Sequence, residues 1–210
     1  MENTWRVEGL YPVQGWTLVP GNESNSGAWV EGEFERIVSW WDDNARGELA
    51  EQALRDTLNE SLSVAREPGT LTTLLHWPLP LPVPSRVRVV PATGAPVDPR
   101  IWVEAGFDVD EYPGARMGPA LKCIASRDEV SEGRSLHLST AAFVFSASDL
   151  GLVVVIESGS REIFQFTLSR VPLLLSTLSV YRPDGLEFKS DPVSGITRNL
   201  NDEWESVPNA

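Results

Sequence analysis

Two histidines, one cysteine and one run of carboxylates are the side chains in this sequence best suited to chemistry. His76 stands beside Trp77 at the end of a predicted strand, and His137 alternates with Ser139 along another. A zinc site needs several ligands close together, and neither histidine has a second histidine at helix or strand spacing. We therefore interpret both as structural histidines and predict no metal site.

Cys123 is the only cysteine and shares a predicted strand face with Leu121 and Ala125. A nucleophilic cysteine needs a thiolate held beside a base or at a helix N-terminus, and no such group is near in sequence. We interpret Cys123 as a small apolar core residue. Because a single cysteine allows no intramolecular disulfide, the chain suits a reducing compartment.

Asp108, Asp110 and Glu111 place three carboxylates within four residues. A calcium loop has a longer run of oxygen ligands, and the paired carboxylates of glycosidases cannot be recognised from one chain, so we interpret this run as a solvated strand end. No phosphate or dinucleotide loop and no GxSxG turn is present, and Gly-Ser-Arg at 159–161 is interpreted as a hairpin turn. We predict no catalytic residues and no cofactor, although an enzyme built from scattered residues stays open.

The composition is that of an acidic globular protein. The 210 residues are 41% apolar, include eight tryptophans, and carry a formal net charge of −13. Binding to nucleic acids or anionic membranes depends on lysine and arginine, so neither partner is expected. The N-terminus lacks the basic start and apolar core of a signal peptide, and no apolar run is long enough to span a membrane. We predict a soluble cytoplasmic protein.

The first half contains one clear helix, from about Glu48 to Arg66. Leu54, Leu58 and Leu62 recur every four residues and form one apolar row, with candidate N-caps at 42–44 and a stop at Pro68 and Gly69. Residues 29–41 fit either a helix or a strand. Trp40 and Trp41 fit either interface anchors or ordinary core residues, and this choice stays open, whereas Trp102 is expected in the core.

Alternating apolar residues dominate the second half. They predict strands over 70–77, 86–90, 100–109, 120–126, 135–145, 150–157 and 163–168. Short polar links between the later strands require antiparallel neighbours, so 118–168 is predicted to be a meander. A second helix is predicted over Arg170–Ser179, with Ser169 as its N-cap. We predict a single domain over 1–190, followed by a loosely held polar tail over 191–210.

Four prolines alternate with apolar residues in the stretch HWPLPLPVPSRVRVV, at 78, 80, 82 and 84. Their spacing of two does not match the three-residue repeat of polyproline II ligands. In an extended chain the prolines remove every N–H donor on one side. The segment is therefore predicted to be an edge strand, or an extended strap that protects one rim of the sheet from aggregation.

The order of elements after Gly118, with DLGLVVVIESGS followed by IFQFTLSRVPLLLSTLSVYRPDG, resembles the C-terminal half of Mog1/PsbP-like domains. This resemblance covers about the last ninety residues and rests on pattern, without a diagnostic motif. It implies an α+β fold with an antiparallel sheet flanked by helices, and a non-catalytic accessory or binding role. It transfers no functional residue to this chain.

Together these observations predict an α+β fold, a mainly antiparallel sheet with both helices packed on one face. We expect a non-enzymatic accessory domain that binds another protein, chaperone-like or secretion-associated. The alternative is a small-ligand-binding protein or enzyme that uses scattered groups such as His76, His137 and Asp108 in a sheet–helix crevice. A deep pocket with a histidine beside a carboxylate would favour the alternative. Neither the partner nor the oligomeric state can be inferred from the sequence.

Overall fold

The computed structural model describes residues 4–9, 15–21, 26–41, 46–79, 81–93, 98–131, 134–148 and 150–193. Within these ranges the chain forms an α+β fold, which confirms the predicted class. The strands are β1 Arg6–Glu8, β2 Trp16–Val19, β3 Thr72–His76, β4 Ser85–Thr93, β5 Asp108–Ala115, β6 Gly118–Ser131, β7 Arg134–Ala147, β8 Leu150–Ser158 and β9 Ser179–Tyr181. The helices are α1 Ser26–Val38, α2 Glu48–Ala65, α3 Pro99–Glu104 and α4 Arg161–Thr177.

Seven strands form one antiparallel sheet in the order β2-β3-β4-β8-β7-β6-β5. Strands β5 to β8 follow one another as a meander, so the predicted meander is confirmed for β6, β7 and β8. The pairing of β8 with β4 joins strands β2 to β4 to strands β5 to β8 in one sheet. It runs from Arg86 opposite Glu157 to Thr93 opposite Leu150. Strands β1 and β9 pair separately.

Helix α4 covers one face of the sheet and forms the larger core with it. The sheet side chains of this core alternate along each strand, as a half-buried strand requires. They include Leu74, Val87, Val89, Ala141, Phe143, Phe145, Leu152, Val154 and Ile156, and α4 contributes Phe164, Val171, Leu174 and Leu175.

Helices α1 and α2 cover the opposite face, above β2 and β3. Leu74 belongs to the α4 core, whereas its neighbour Leu75 packs with Leu54, Leu58 and Leu62 of α2. Since consecutive strand residues point to opposite faces, α2 and α4 lie on different sides of the sheet. The sequence predicted both helices on one face, and this part of the prediction needs correction.

Helix α2 confirms the prediction for 48–66, with Leu54, Leu58 and Leu62 buried. The predicted N-caps at 42–44 lie outside the described residues. Residues 29–38 of the ambiguous stretch 29–41 belong to α1, whose buried residues Val30, Phe34 and Ile37 follow helical spacing.

The predicted strand over 100–109 is wrong, because its first half is helix α3. Asp98 caps that helix by accepting a hydrogen bond from the Arg100 N–H at 2.9 Å, and Pro99 occupies the first turn. Ile101 and Val103, predicted to be buried, are 60% and 58% exposed. Gly106 then adopts a positive φ of 85°, which turns the chain into β5. The local capping signals outweighed the apolar alternation.

The predicted strand over 163–168 is also wrong, since α4 starts at Arg161 and includes it. The Ser160 side chain caps the helix by accepting from the Ile163 N–H, so 159–161 is a helix start and not a hairpin turn. The predicted helix over Arg170–Ser179 is the second half of α4. Pro172 therefore lies inside the helix, where it removes one backbone hydrogen bond.

The proline-rich segment is not an edge strand. Its described residues connect β3 to β4, which are direct neighbours in the sheet, and the edges of the sheet are β2 and β5. Pro80 lies outside the described residues. We call residues 77–84 the proline loop. Edge strand β5 carries instead the carboxylates of 108–111 and Pro113.

The described chain ends on the face that carries α3. Asp191 donates its N–H to the Ser146 carbonyl at 2.6 Å, and Val193 packs against the small cluster of Leu121, Cys123, Ala142 and Val144. The remainder of the predicted tail, 194–210, lies outside the described residues. None of the described helices is both long and apolar enough to cross a membrane.

Candidate functional site

His76 lies in a buried polar chain between the sheet and α4. Its Nδ1 is 2.8 Å from the hydroxyl oxygen of Thr167, and Thr167 donates to the Ser85 hydroxyl at 2.8 Å. The Trp16 ring stacks on the imidazole with a centroid distance of 4.4 Å. All four side chains are buried, so this chain satisfies polar groups inside the core.

Burial in this apolar setting lowers the pKa of His76 to about 4, and the positive charge of Arg170 acts in the same direction. His76 is therefore neutral at neutral pH. A neutral imidazole shielded from solvent cannot exchange protons with a substrate, so the structure gives His76 a packing role.

Asp128, His137 and Ser139 have the connectivity of a serine-hydrolase triad. His137 Nδ1 lies 2.7 Å from Asp128 Oδ1, and His137 Nε2 lies 2.8 Å from Ser139 Oγ. Asp128 stands directly opposite His137 in the β6–β7 ladder, and Ser139 follows two residues later, so the three side chains share one face. Ser126 adds a further hydroxyl 2.9 Å from that of Ser139.

This triad is not an active site in the described structure. Ser139 is fully buried, and neither of the two clefts described below reaches it. A nucleophile needs room for a reacting carbon about 3 Å from its oxygen, and none is available. The network therefore binds β6 to β7 and satisfies the buried Ser139 hydroxyl.

Replacing His137 by alanine is expected to lower the free energy of unfolding by about 1–2 kcal/mol, because the buried Ser139 hydroxyl loses one hydrogen-bond partner. Asp128→Asn removes only an exposed charge and should cost less than about 0.5 kcal/mol. Urea unfolding at neutral pH measures both. If both variants lost the same free energy of unfolding, the stability would come from the exposed contact between Asp128 and His137 instead.

The other predicted candidates lie apart from these histidines. His76, His137 and Asp108 occupy three separate strands, β3, β7 and β5, so they form no common crevice. Cys123 is buried, and desolvation raises the pKa of its thiol to about 12, which keeps it protonated. No group of three or more potential metal ligands is assembled in the described part of the chain.

Of Trp40, Trp41 and Trp102, only Trp40 is exposed, at 43%. Trp41 is buried against α2. Trp102, which belongs to α3, packs edge-on to Phe107. The Arg36 guanidinium covers the half-exposed Trp40 ring. Of the two residues whose role the sequence leaves open, Trp41 is thus a core residue and Trp40 is exposed, so they form no joint patch.

Two clefts lie on the face that carries α2. The first, which we call the proline-loop cleft, has a volume of about 270 Å³. Its lining comes from α2, the proline loop, β4, β7 and the end of β8: Thr57, Glu60, Val83, Pro84, Arg86, Leu138, Glu157, Ser158 and Gly159. The second, of about 410 Å³, lies between β2, the start of β3 and the C-terminal end of α2. Neither cleft is lined by a histidine.

The proline loop is held by hydrogen bonds at two points, and its Val83 side chain lines the cleft. The Trp77 N–H donates to the Gly15 carbonyl at 2.7 Å, and the Thr57 hydroxyl of α2 donates to the Pro82 carbonyl at 3.3 Å. Leu81 and Val83 nevertheless remain 43% and 42% exposed. A fixed loop with exposed apolar side chains is suited to contact with another molecule.

Ion pairs form the floor of the proline-loop cleft and its surroundings. Arg86 donates to Glu60 at 2.8 Å, while Arg88 bridges Glu67 at 3.1 Å and Glu157 at 3.2 Å. The Nε–H groups of both arginines are buried and have no partner among the described residues.

Comparisons with known proteins provide no assignment. No protein-family model matches the chain, and no curated protein does. A crystal structure of LpqN, described as involved in cell envelope biogenesis of Mycobacterium tuberculosis, matches with a TM-score of 0.41 and 8% identity over 84% of each chain. Likeness at this level supports no conclusion about this chain. The resemblance to Mog1/PsbP-like domains stays a prediction.

Sequence reasoning missed the proline-loop cleft. Its lining residues come from segments between Thr57 and Gly159, and only the hairpin β3–β4 and the pairing of β4 with β8 bring them together. The available signal was local: Leu81 and Val83 stand between prolines that hold them in an extended conformation.

Proposed function

We propose that this chain is an accessory domain that binds another protein through the proline-loop cleft. The observation behind the proposal is the exposure of Leu81 and Val83 on a proline-stiffened loop, of which Val83 lines a cleft. Prolines restrict the unbound loop, so association costs less conformational entropy than it would with a free loop. We place this role in the cytoplasm, because a single buried cysteine suits a reducing compartment.

The geometry favours a protein partner over a small molecule. The two clefts, of about 270 and 410 Å³, lie near the lower end of the roughly 300–1,000 Å³ of usual ligand pockets. Both histidines of the alternative hypothesis lie outside the cleft and are used by internal hydrogen bonds. The exposed apolar side chains of Leu81 and Val83 are instead a feature that a protein partner can bury.

Exchange of Leu81 and Val83 for serine tests the proposal. The tagged chain is expressed in its own cells, captured after mild cross-linking, and its companions are quantified by mass spectrometry. The captured amount of a companion of the unaltered chain is expected to fall by at least about ten-fold with the double variant, since the two exchanges remove apolar surface that the contact would bury. Binding of the purified companion is then measured by calorimetry.

A matched control variant tests whether the loss of any two exposed apolar side chains would have the same effect. Leu49→Ser with Leu173→Ser removes two exposed leucines on α2 and α4, away from the cleft. Its companions should be those of the unaltered chain. Retention of every companion by the Leu81 and Val83 variant would refute the proposal.

A further inference from the structure

We infer that the segment 194–210 of this chain binds back onto the sheet face between α2 and α3, with Ile196, Leu200 and Trp204 as its apolar contacts. The inference goes beyond the proposed function, because the occupant is the chain itself and no partner protein is involved. Three observations support it: an apolar part of the sheet that is left open, the place where the described chain ends, and the sequence that follows.

The middle strands of the sheet are closed on one face and open on the other. On the face of α4, Val89 of β4 and Val154 and Ile156 of β8 are fully buried. On the opposite face, α2 packs on β2 and β3 and α3 packs on β5, so β4, β8 and β7 lie between these helices. The side chains that these three strands direct to that side are only partly buried, and we call them the open face: Val90, Thr140, Val153 and Val155. Apolar groups in contact with water favour a further layer above them.

The chain crosses to the side of the open face just before residue 194. Phe188 is buried in the larger core under α4. Asp191 then donates its N–H to the Ser146 carbonyl at 2.6 Å, and its carboxylate accepts from the Ser148 N–H at 2.8 Å. Two residues later, Val193 packs against the small apolar cluster on the side of α3. Segment 194–210 therefore starts from the side of the sheet that is open.

The open face lies within short reach of this starting point. The small cluster includes Val144, which stands opposite Val153 of the open face in the β7–β8 ladder. Neighbouring strands lie about 4.8 Å apart and residues rise about 3.3 Å each, so roughly 8 Å separates Val144 from Val155. Three residues of extended chain span about 10 Å. Such a short tether gives the segment an effective concentration in the millimolar range at the open face, so that even a weak contact is populated.

The segment carries apolar side chains at a spacing that suits a flat apolar surface. Ile196, Leu200 and Trp204 recur every four residues in ITRNLNDEW. Residues four apart lie on the same side of an extended chain and also on the same side of a helix. The three side chains can therefore meet the sheet together, while the polar residues between them stay in water.

Cysteine labelling of the full chain tests the inference. Val155→Cys places a thiol on the open face, and Gln165→Cys places a reference thiol on the exposed side of α4. Reaction with a maleimide at low micromolar protein is followed by mass spectrometry of peptides, which separates these positions from the buried Cys123. Combined exchange of Ile196, Leu200 and Trp204 for serine should speed the reaction at position 155 by at least about ten-fold, as expected if the segment is bound about nine-tenths of the time. The rate at position 165 should change less than about two-fold.

A matched control variant alters the same segment without touching its apolar row. Exchange of Thr197, Asn199 and Asn201 for serine should leave the rate at position 155 within about two-fold of that in the unaltered segment. Thermal melts verify that each variant folds. Trp204→Ser alone is a milder change that should speed the reaction at position 155 in the same direction.

Three results would overturn the inference. The first is a rate at position 155 that stays the same when the apolar row is exchanged, and the second is an equal increase with the control variant. The third is protection of position 155 that disappears on ten-fold dilution, because a second copy of the chain would then cover the open face. The capture experiment with Leu81 and Val83 does not involve this segment, so each proposal can fail while the other stands.

Discussion

Replacing Phe164 by alanine is expected to lower the free energy of unfolding by about 3–5 kcal/mol. Its ring is fully buried on α4 against the sheet, among Val154, Ile156 and Val171 of the larger core. Removal leaves a cavity that the surrounding strands cannot close without breaking their pairing. Phe166, two residues later, is 47% exposed, and its replacement by alanine should cost less than about 0.5 kcal/mol.

This pair of variants distinguishes the helix from the strand that the sequence predicts over 163–168. In a strand, residues 164 and 166 point to one face and their losses would be similar. In α4 they lie on different sides of the helix, so their losses differ. Urea unfolding with fluorescence detection measures both free energies, and similar values would contradict the assignment of α4.

Acidification from about pH 6.5 to pH 4 is expected to remove about 3 kcal/mol of stability through His76 alone. Burial lowers the pKa of His76 in the folded protein to about 4, whereas in the unfolded chain it has its ordinary value of 6.5. Between these values the unfolded state binds a proton that the folded state does not. Stability therefore falls as the pH falls through this window, and the loss is complete below the folded pKa.

His76→Gln isolates this effect. Glutamine offers an amide group near Thr167 but does not titrate, and the variant keeps His137 and every carboxylate. Between pH 7 and pH 4, the free energy of unfolding of this variant should fall by about 3 kcal/mol less than that of the unaltered protein. Parallel pH dependences in the two proteins would show that His76 is not the residue responsible.

The elements that the sequence predicts well are those with strong, uninterrupted periodicity. Leu54, Leu58 and Leu62 identify α2 because its packing obeys the same spacing as its sequence. The strands β6, β7 and β8 are recognisable because short polar links leave only antiparallel neighbours.

The errors arise where two local signals conflict. Residues 100–109 alternate like a strand, but Asp98, Pro99 and Gly106 cap and end a short helix there. The Val/Ile-rich strand β8 leads almost directly into α4, and the cap at Ser160 decides where the helix begins. The placement of α2 and α4 on opposite faces depends on which strands pair, and single-chain periodicity does not contain that information.

The candidate site is predictable only in parts. His76 and His137 were noticed by residue type, but their partners Thr167 and Asp128 come from other elements. The ion pair of Arg86 and Glu60 joins residues 26 positions apart, and the lining of the cleft extends to Gly159. Such proximity follows from the order of strands in the sheet.

The pairing of β4 with β8 also governs how the protein can be made. Thr93 and Leu150, which face each other in the middle of the sheet, leave the ribosome several seconds apart at about 5–20 residues per second. Throughout that interval the nascent polypeptide exposes an unsatisfied row of amides and carbonyls along β4, open to any other extended chain nearby. Polypeptides that stop before β8 never acquire this neighbour, and cellular quality control would treat them as unfolded.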